Sequence, residues 1–177
     1  MRIRTFRASD LPALWPIYQA ATQEDGQQLH FHAEAFEAWL HQLDAENNAF
    51  VITDDDDELN TWGQGETLEG IEGEIIGYTL VETLQTSDGY HLRCHGAVSP
   101  IHRGRHAGRA LLICATNRAN LLASEFEWEA SLQGVPVYFE ALLPVKDPRS
   151  PQLAAKCELQ PIRDKHEAGW QLYRRTL

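Results

Sequence analysis

Hydrophobic and polar positions change period several times along the chain, and each change marks an element. Residues 3–7 alternate as a short strand does, and Ser9-Asp10 then offers side-chain oxygens to the free N–H groups of a following helix. Leu11, Leu14, Trp15 and Tyr18 recur at helical spacing, which predicts a helix over 10–21. Pro12 suits a first turn, whereas Pro16 predicts a kink or break. A second helix is predicted over 33–43, with Phe36, Trp39, Leu40 and Leu43 on one face, and a strand follows over 49–52. Residues 54–73 are acidic and Gly-rich and read as a long mobile loop. Residues 74–84 and 90–98 read as paired strands, with Ser87-Asp88-Gly89 at the turn between them. A long helix over 104–123 takes its apolar stripe from Ala107, Ala110, Leu111, Ala115 and Leu122. A strand over 135–142, a short helix over 151–158 and a last strand over 169–176 complete the order β-α-α-β-β-β-α-β-α-β. That order predicts helices packed on a mixed sheet.

Length narrows this to one domain spanning 1–177, since 177 residues suffice for a single core. No apolar run approaches the ~18 residues that span a membrane, and Met1-Arg2-Ile3-Arg4 passes straight into polar sequence, so neither a membrane partner nor a signal peptide is expected. Cys94, Cys114 and Cys157 lack CxxC spacing and fit a reducing cytoplasm, the expected location. Charge is split along the chain: residues 21–90 hold 17 acids and no Lys or Arg, while residues 91–177 hold 12 basic residues against 8 acids. Such a chain can hold an anionic ligand with one half and a cationic one with the other. No basic stripe dominates, which argues against nucleic acid as a partner.

The chemistry concentrates in the stretch from Val98 to Leu112, VSPIHRGRHAGRALL. A strand ends, a turn of small residues follows and a long helix begins, which aims unpaired backbone N–H groups and the positive end of the helix dipole at one spot. Phosphates bind at such spots, glycines let the backbone approach them, and Arg103, Arg105 and Arg109 add cationic donors. A dinucleotide site would need Gly-x-Gly-x-x-Gly near the first strand and an acid about 20 residues on, and neither is present.

This stretch resembles the acetyl-coenzyme A signature of the GCN5-related N-acetyltransferases, Arg/Gln-x-x-Gly-x-Gly/Ala after a strand ending in Val-x-Pro. Arg103 matches its first position, Gly108 its last, and Val98-Ser99-Pro100 the lead-in, while His106 stands where the family has its first glycine. Arg2 to Ala21 is similar to the family's opening strand and helix, and Ile75-Ile76-Gly77-Tyr78 to its third strand. Residues 137–142 are similar to its fifth strand, residues 147–162 to its Asn-Pro-x-Ala…Leu-Tyr-Glu-Lys-Leu-Gly-Phe-x-Pro-Ile run, and residues 172–177 to its last strand. The resemblance implies an α/β fold with a mixed, largely antiparallel central sheet flanked by helices. It also implies acetyl-coenzyme A as co-substrate, held by Ala97, Val98, Arg103, Gly104, Arg105, His106, Ala107, Gly108, Arg109 and Asp147, with transfer directly to an amine.

In such a reaction a base removes the amine's proton, a backbone N–H (here that of Val98) steadies the thioester oxygen, and a Tyr after strand five protonates the leaving thiolate. Ala154 stands at that Tyr position, Asp147 at a usual Asn, and Leu92 where some members keep a catalytic Glu. Glu140 is the first candidate base, from the equivalent strand-five position of some members, followed by Glu82 and His95, with Tyr173 the candidate acid. A non-catalytic coenzyme-binding or regulatory module is the competing reading. Paired histidines (His30 with His32 and His41, His91 with His95 and Cys94) raise the question of zinc, but Cys94 points to the other strand face, and no metal is expected. The acceptor is a small-molecule or peptide amine, expected to be cationic because the acidic half falls on the family's acceptor side. The fold also makes a homodimer plausible.

Overall fold

The computed structural model describes residues 1–54, 73–167 and 169–177, so the predicted acidic loop lies outside the described residues apart from its two ends. Strand β1 (Arg2–Thr5) leads through a 3₁₀ turn into helix α1 (Leu11–Glu24), then α2 (Ala33–Gln42), the short α3 (Ala45–Asn48) and β2 (Ala49–Asp54). The hairpin of β3 (Glu74–Thr86) and β4 (Gly89–Val98) precedes helix α4 (Ala107–Gln133), β5 (Val137–Pro144), α5 (Ser150–Lys156), β6 (Gln160–Glu167) and β7 (Trp170–Thr176). These strands form one sheet in the order β1-β2-β3-β4-β5-β7-β6. Every pairing is antiparallel except that of β4 with β5.

Three differences from the sequence reading have physical causes. Helix α1 runs unbroken through Pro16, because Leu14, Ile17 and Ala21 bury its inner face and the bond Pro16 cannot make would end in the first turn. Helix α4 continues ten residues past 123 to Gln133, where Gly134 turns left-handed (φ 64°). Its Glu-rich tail lacks a clean stripe, yet Phe126 stacks on Tyr90 at 5.1 Å and Ala130 is buried. Strand β6 has no apolar alternation, and pairing with β7 creates it.

The sheet buries both faces. Leu92, Phe139 and Ala141 pack with Leu112, Ala115 and Ala119 of α4 and Ala154 of α5. On the opposite face Val51, Tyr78 and Leu80 meet Leu14 and Ile17 of α1 and Phe36 and Leu40 of α2. Strand β4 follows β5 from Tyr90↔Val137 only as far as Cys94↔Ala141. Beyond that pair the two strands part, leaving a wedge between the helical layers.

Candidate active site

A cleft of about 630 Å³ opens where β4 and β5 diverge. Residues from Arg93 to Val98 form its β4 wall, Leu142 to Pro144 its β5 wall, and Gly104, His106, Gly108 and Arg109 its end at α4. On the α1–α2 side it is lined by Tyr18, Thr22, Asp25, His30, Phe31, Trp39 and Tyr78.

Backbone parity sets what β4 offers. Tyr90 N–H donates toward β5, to Pro136 O at 3.1 Å, whereas Ser99 N–H donates toward β3, to Ile76 O at 2.8 Å. Alternation along the strand therefore turns the N–H groups of Gly96 and Val98 into the wedge, where β5 is no longer there to receive them. A Cβ on Gly96 would lie 2.5 Å from Tyr78 O, so only glycine keeps β4 against β3 beside the wedge.

At the other end the first bond along α4 is Ala110 N–H to His106 O, at 3.0 Å. The N–H groups of Ala107, Gly108 and Arg109 thus open toward the turn, as an anion site requires. His106 caps the helix with φ 69°, a left-handed backbone that glycine adopts freely, so the turn keeps the geometry of the signature despite the departure in sequence. Its exposed side chain carries that strain. His106→Gly is expected to stabilise the fold by about 1 kcal/mol, read as a rise of roughly 2–4 °C in thermal unfolding.

The expected coenzyme residues divide. Ala97, Val98, Arg103, Gly104, His106, Gly108, Arg109 and Asp147 line the cleft, whereas Arg105 and Ala107 do not. Arg105 is exposed beside Asp54 (3.8 Å), and Ala107 is buried among Ile52, Ile76 and Leu111. Arg103 spans the cleft mouth: its guanidinium holds Asp25 at 2.6 and 3.0 Å and reaches Val98 O at 3.3 Å. Residue types alone do not reveal a partner 78 positions away. Arg149 also lines the cleft and was missed, although it sits inside the motif-like Asp147-Pro148-Arg149. Its Nε donates to Asp147 at 2.9 Å. Burial works to raise the Asp147 carboxyl, but Arg149 outweighs it and holds the group below the usual carboxylate range. The two acids lining the cleft among the described residues, Asp25 and Asp147, are thus both committed to arginines. The expected cationic acceptor finds no free carboxylate there.

The candidate bases separate as clearly. His95 lines the cleft, and its Nε2 meets Glu82 Oε2 at 2.7 Å. The bond to His95 is the main reason that the Glu82 carboxyl sits below its ordinary range, so it is a carboxylate that orients the ring. Trp39 supports the imidazole edge-on at 5.2 Å. Glu140 is fully buried and does not line the cleft. It accepts from Arg174 Nε at 2.8 Å and Arg93 Nη2 at 3.1 Å and pairs with His91 Nδ1 at 2.9 Å. Sequence shows a carboxylate at the expected strand position but not the three groups that enclose it. Tyr173 lies in the core under α4, away from the cleft, and burial pushes its hydroxyl up. Ala154 is fully buried in the same cluster. Cys94 does line the cleft, but burial pushes its thiol up to about 11, so it stays protonated at neutral pH. Among the described residues no cluster of metal-ligating side chains occurs, and no helix is long and apolar enough to cross a membrane.

No protein-family model and no curated protein matches the chain. Solved structures do. The chain is similar to yncA from Salmonella typhimurium with its cofactor acetyl-CoA, at a TM-score of 0.67 and 16% identity, covering 99% of this chain and 92% of that one. A GNAT superfamily phosphinothricin acetyltransferase from Sinorhizobium meliloti in complex with acetyl-CoA aligns with a TM-score of 0.62 at 17% identity, over 99% and 88% of the two chains. Ribosomal-protein-alanine N-acetyltransferase from Brucella melitensis aligns over 100% of both, at 19% identity and a TM-score of 0.61. The chain has the fold of the GCN5-related N-acetyltransferases. The parting of β4 from β5 lies beside the α4 turn on which the signature-like stretch from Val98 falls.

Proposed function

We propose that this protein transfers an acetyl group from acetyl-coenzyme A to the nitrogen of an amine. The observation that carries the reading is one cleft holding both the N–H groups of Gly96 and Val98, unpaired among the described residues, and the open first turn of α4. The α4 turn and the cations Arg109, Arg149 and Lys156 suit the coenzyme's phosphates, and the wedge suits its extended arm. The thioester oxygen gains negative charge as nitrogen attacks, and the Val98 N–H, fixed by the strand, donates to it. His95 takes a proton from the ammonium, and Glu82 steadies the imidazolium formed. The C–S bond then breaks to leave an amide and a thiolate. Of the two protons that the ammonium loses, one returns to that sulfur and the other reaches solvent.

Calorimetric titration with acetyl-coenzyme A is expected to show one site per chain with micromolar affinity, and a mixed panel of amines to release free thiol. No heat at millimolar ligand would overturn the reading. A second reading, a module that binds the coenzyme without transferring its acetyl group, is favoured by Ala154 buried where an acid would stand. Binding without thiol release across the panel would select it.

A further inference from the structure

With the coenzyme along the α4 turn, the cleft that remains lies on the α1–α2 side, and two features of it bear on the acceptor. The first is a chain of rings: Tyr18 to Phe31 at 6.0 Å, Phe31 to Trp39 at 5.2 Å, and Trp39 to His95 at 5.2 Å. The second is Arg93, which lines the cleft two residues before His95 and therefore on the same strand face.

Arg93 is only partly neutralised. Its Nε and Nη2 both donate to Glu140 Oε2, at 3.3 and 3.1 Å, and among the described residues Nη1 makes no hydrogen bond. Glu140 carries one charge and shares it with Arg174 and His91. Glu82, opposite Arg93 on β3, gives its carboxylate to His95. The side chain of Arg93 retains 28% of its exposure, whereas Asp25 and Asp147 are occupied by Arg103 and Arg149. The acceptor side thus presents a spare guanidinium donor and apolar rings.

We propose that the acceptor is an amino carboxylate with an apolar body: amine at His95, carboxylate on Arg93, body against Phe31 and Trp39. This rests on the acetyl-transfer reading above. Arg93 and His95 project from the same face of β4 with Cα atoms about 7 Å apart, so the long Arg93 side chain and the imidazole both border the space that a molecule of amino-acid size would fill. A site built to bind such a group rejects analogues that lack it.

The test measures thiol release from acetyl-coenzyme A by the whole protein with L-phenylalanine, L-phenylalaninamide, 2-phenylethylamine and spermidine. The expected kcat/KM for phenylalanine exceeds that of the other three at least tenfold. Arg93→Gln is expected to shrink the acid-to-amide ratio to within about twofold, mainly through KM, and Arg93→Lys to retain part of it. A preference for the amide, the simple amine or spermidine overturns the proposal, as does a ratio unchanged in Arg93→Gln. Should that variant unfold or turnover be undetectable, wild-type binding decides. With coenzyme A present, N-acetylphenylalanine must bind more tightly than N-acetyl-2-phenylethylamine, and the reverse order overturns the proposal. Absence of acetyl-coenzyme A binding removes the transfer reading itself, so the two failures are distinct.

Discussion

Replacing His95 with Ala is expected to lower kcat for acetyl transfer by about 10²- to 10⁴-fold, the usual contribution of a positioned general base. The imidazole is the titratable group in the cleft whose orientation is fixed from behind, by Glu82 at 2.7 Å and Trp39 at 5.2 Å. It lies on the α1–α2 side, so acetyl-coenzyme A affinity measured by calorimetry should stay within about twofold. Glu82→Gln keeps the ring's packing but removes the charge that steadies the imidazolium, and a smaller loss, about tenfold, is expected. Stopped assays of the three proteins, with calorimetry of the coenzyme, check all of this. Equal kcat in wild type and His95→Ala would remove His95 from the mechanism.

The largest stability effect is expected at Glu140. Its carboxylate is fully buried among Arg93, Arg174 and His91. Glu140→Ala leaves two guanidiniums facing a void, and removal of one partner from a buried ionic cluster costs about 3–5 kcal/mol. Urea unfolding at neutral pH should show that loss as a lower midpoint with unchanged slope. Burial alone would raise this carboxyl, but the bonds from His91 and Arg174 overcome it and hold it below its ordinary value. Its stabilisation is therefore complete above the unfolded value, about 4.3, and is lost as pH falls through the lower folded one. Wild type should lose stability progressively below about pH 5, and Glu140→Gln should lose less over the same range.

The sequence carried the order of the elements apart from α3 and β6, and the turn that opens α4 at one end of the cleft, because both depend on local pattern. Strand alternation, the Ser87-Asp88-Gly89 turn and the small residues before α4 are each written within a dozen positions. Backbone geometry even survives where side chains depart from the signature: His106 adopts φ 69° and Glu158, where the resemblance places a glycine, adopts φ 62°. What local pattern does not carry is partnership across the fold. Glu140 has the strand position of a base, yet two arginines and His91 from β4 and β7 enclose it. Arg103 has the position of a phosphate ligand, yet Asp25 from the end of α1 holds it. Local pattern likewise does not tell that Glu82 and Trp39 fix the His95 ring in the cleft. Strand β6 illustrates the same point, since its residues become a strand by docking on β7.

Glu82, Arg93, Glu140 and Arg174 lie directly opposite one another across β3, β4, β5 and β7, so charges alternate in a row over four strands. The neighbours on the reverse face, Leu92 and Phe139, are completely buried under α4. A slip of one residue in any of these pairings would drive a guanidinium or carboxylate into that aliphatic layer and bring a leucine or phenylalanine out. The β4–β5 pairing joins segments separated by a long helix, so its closure carries a large entropic cost. A misaligned sheet would bury unpaired charge, so the row favours the one alignment that sets each charge opposite its counterpart.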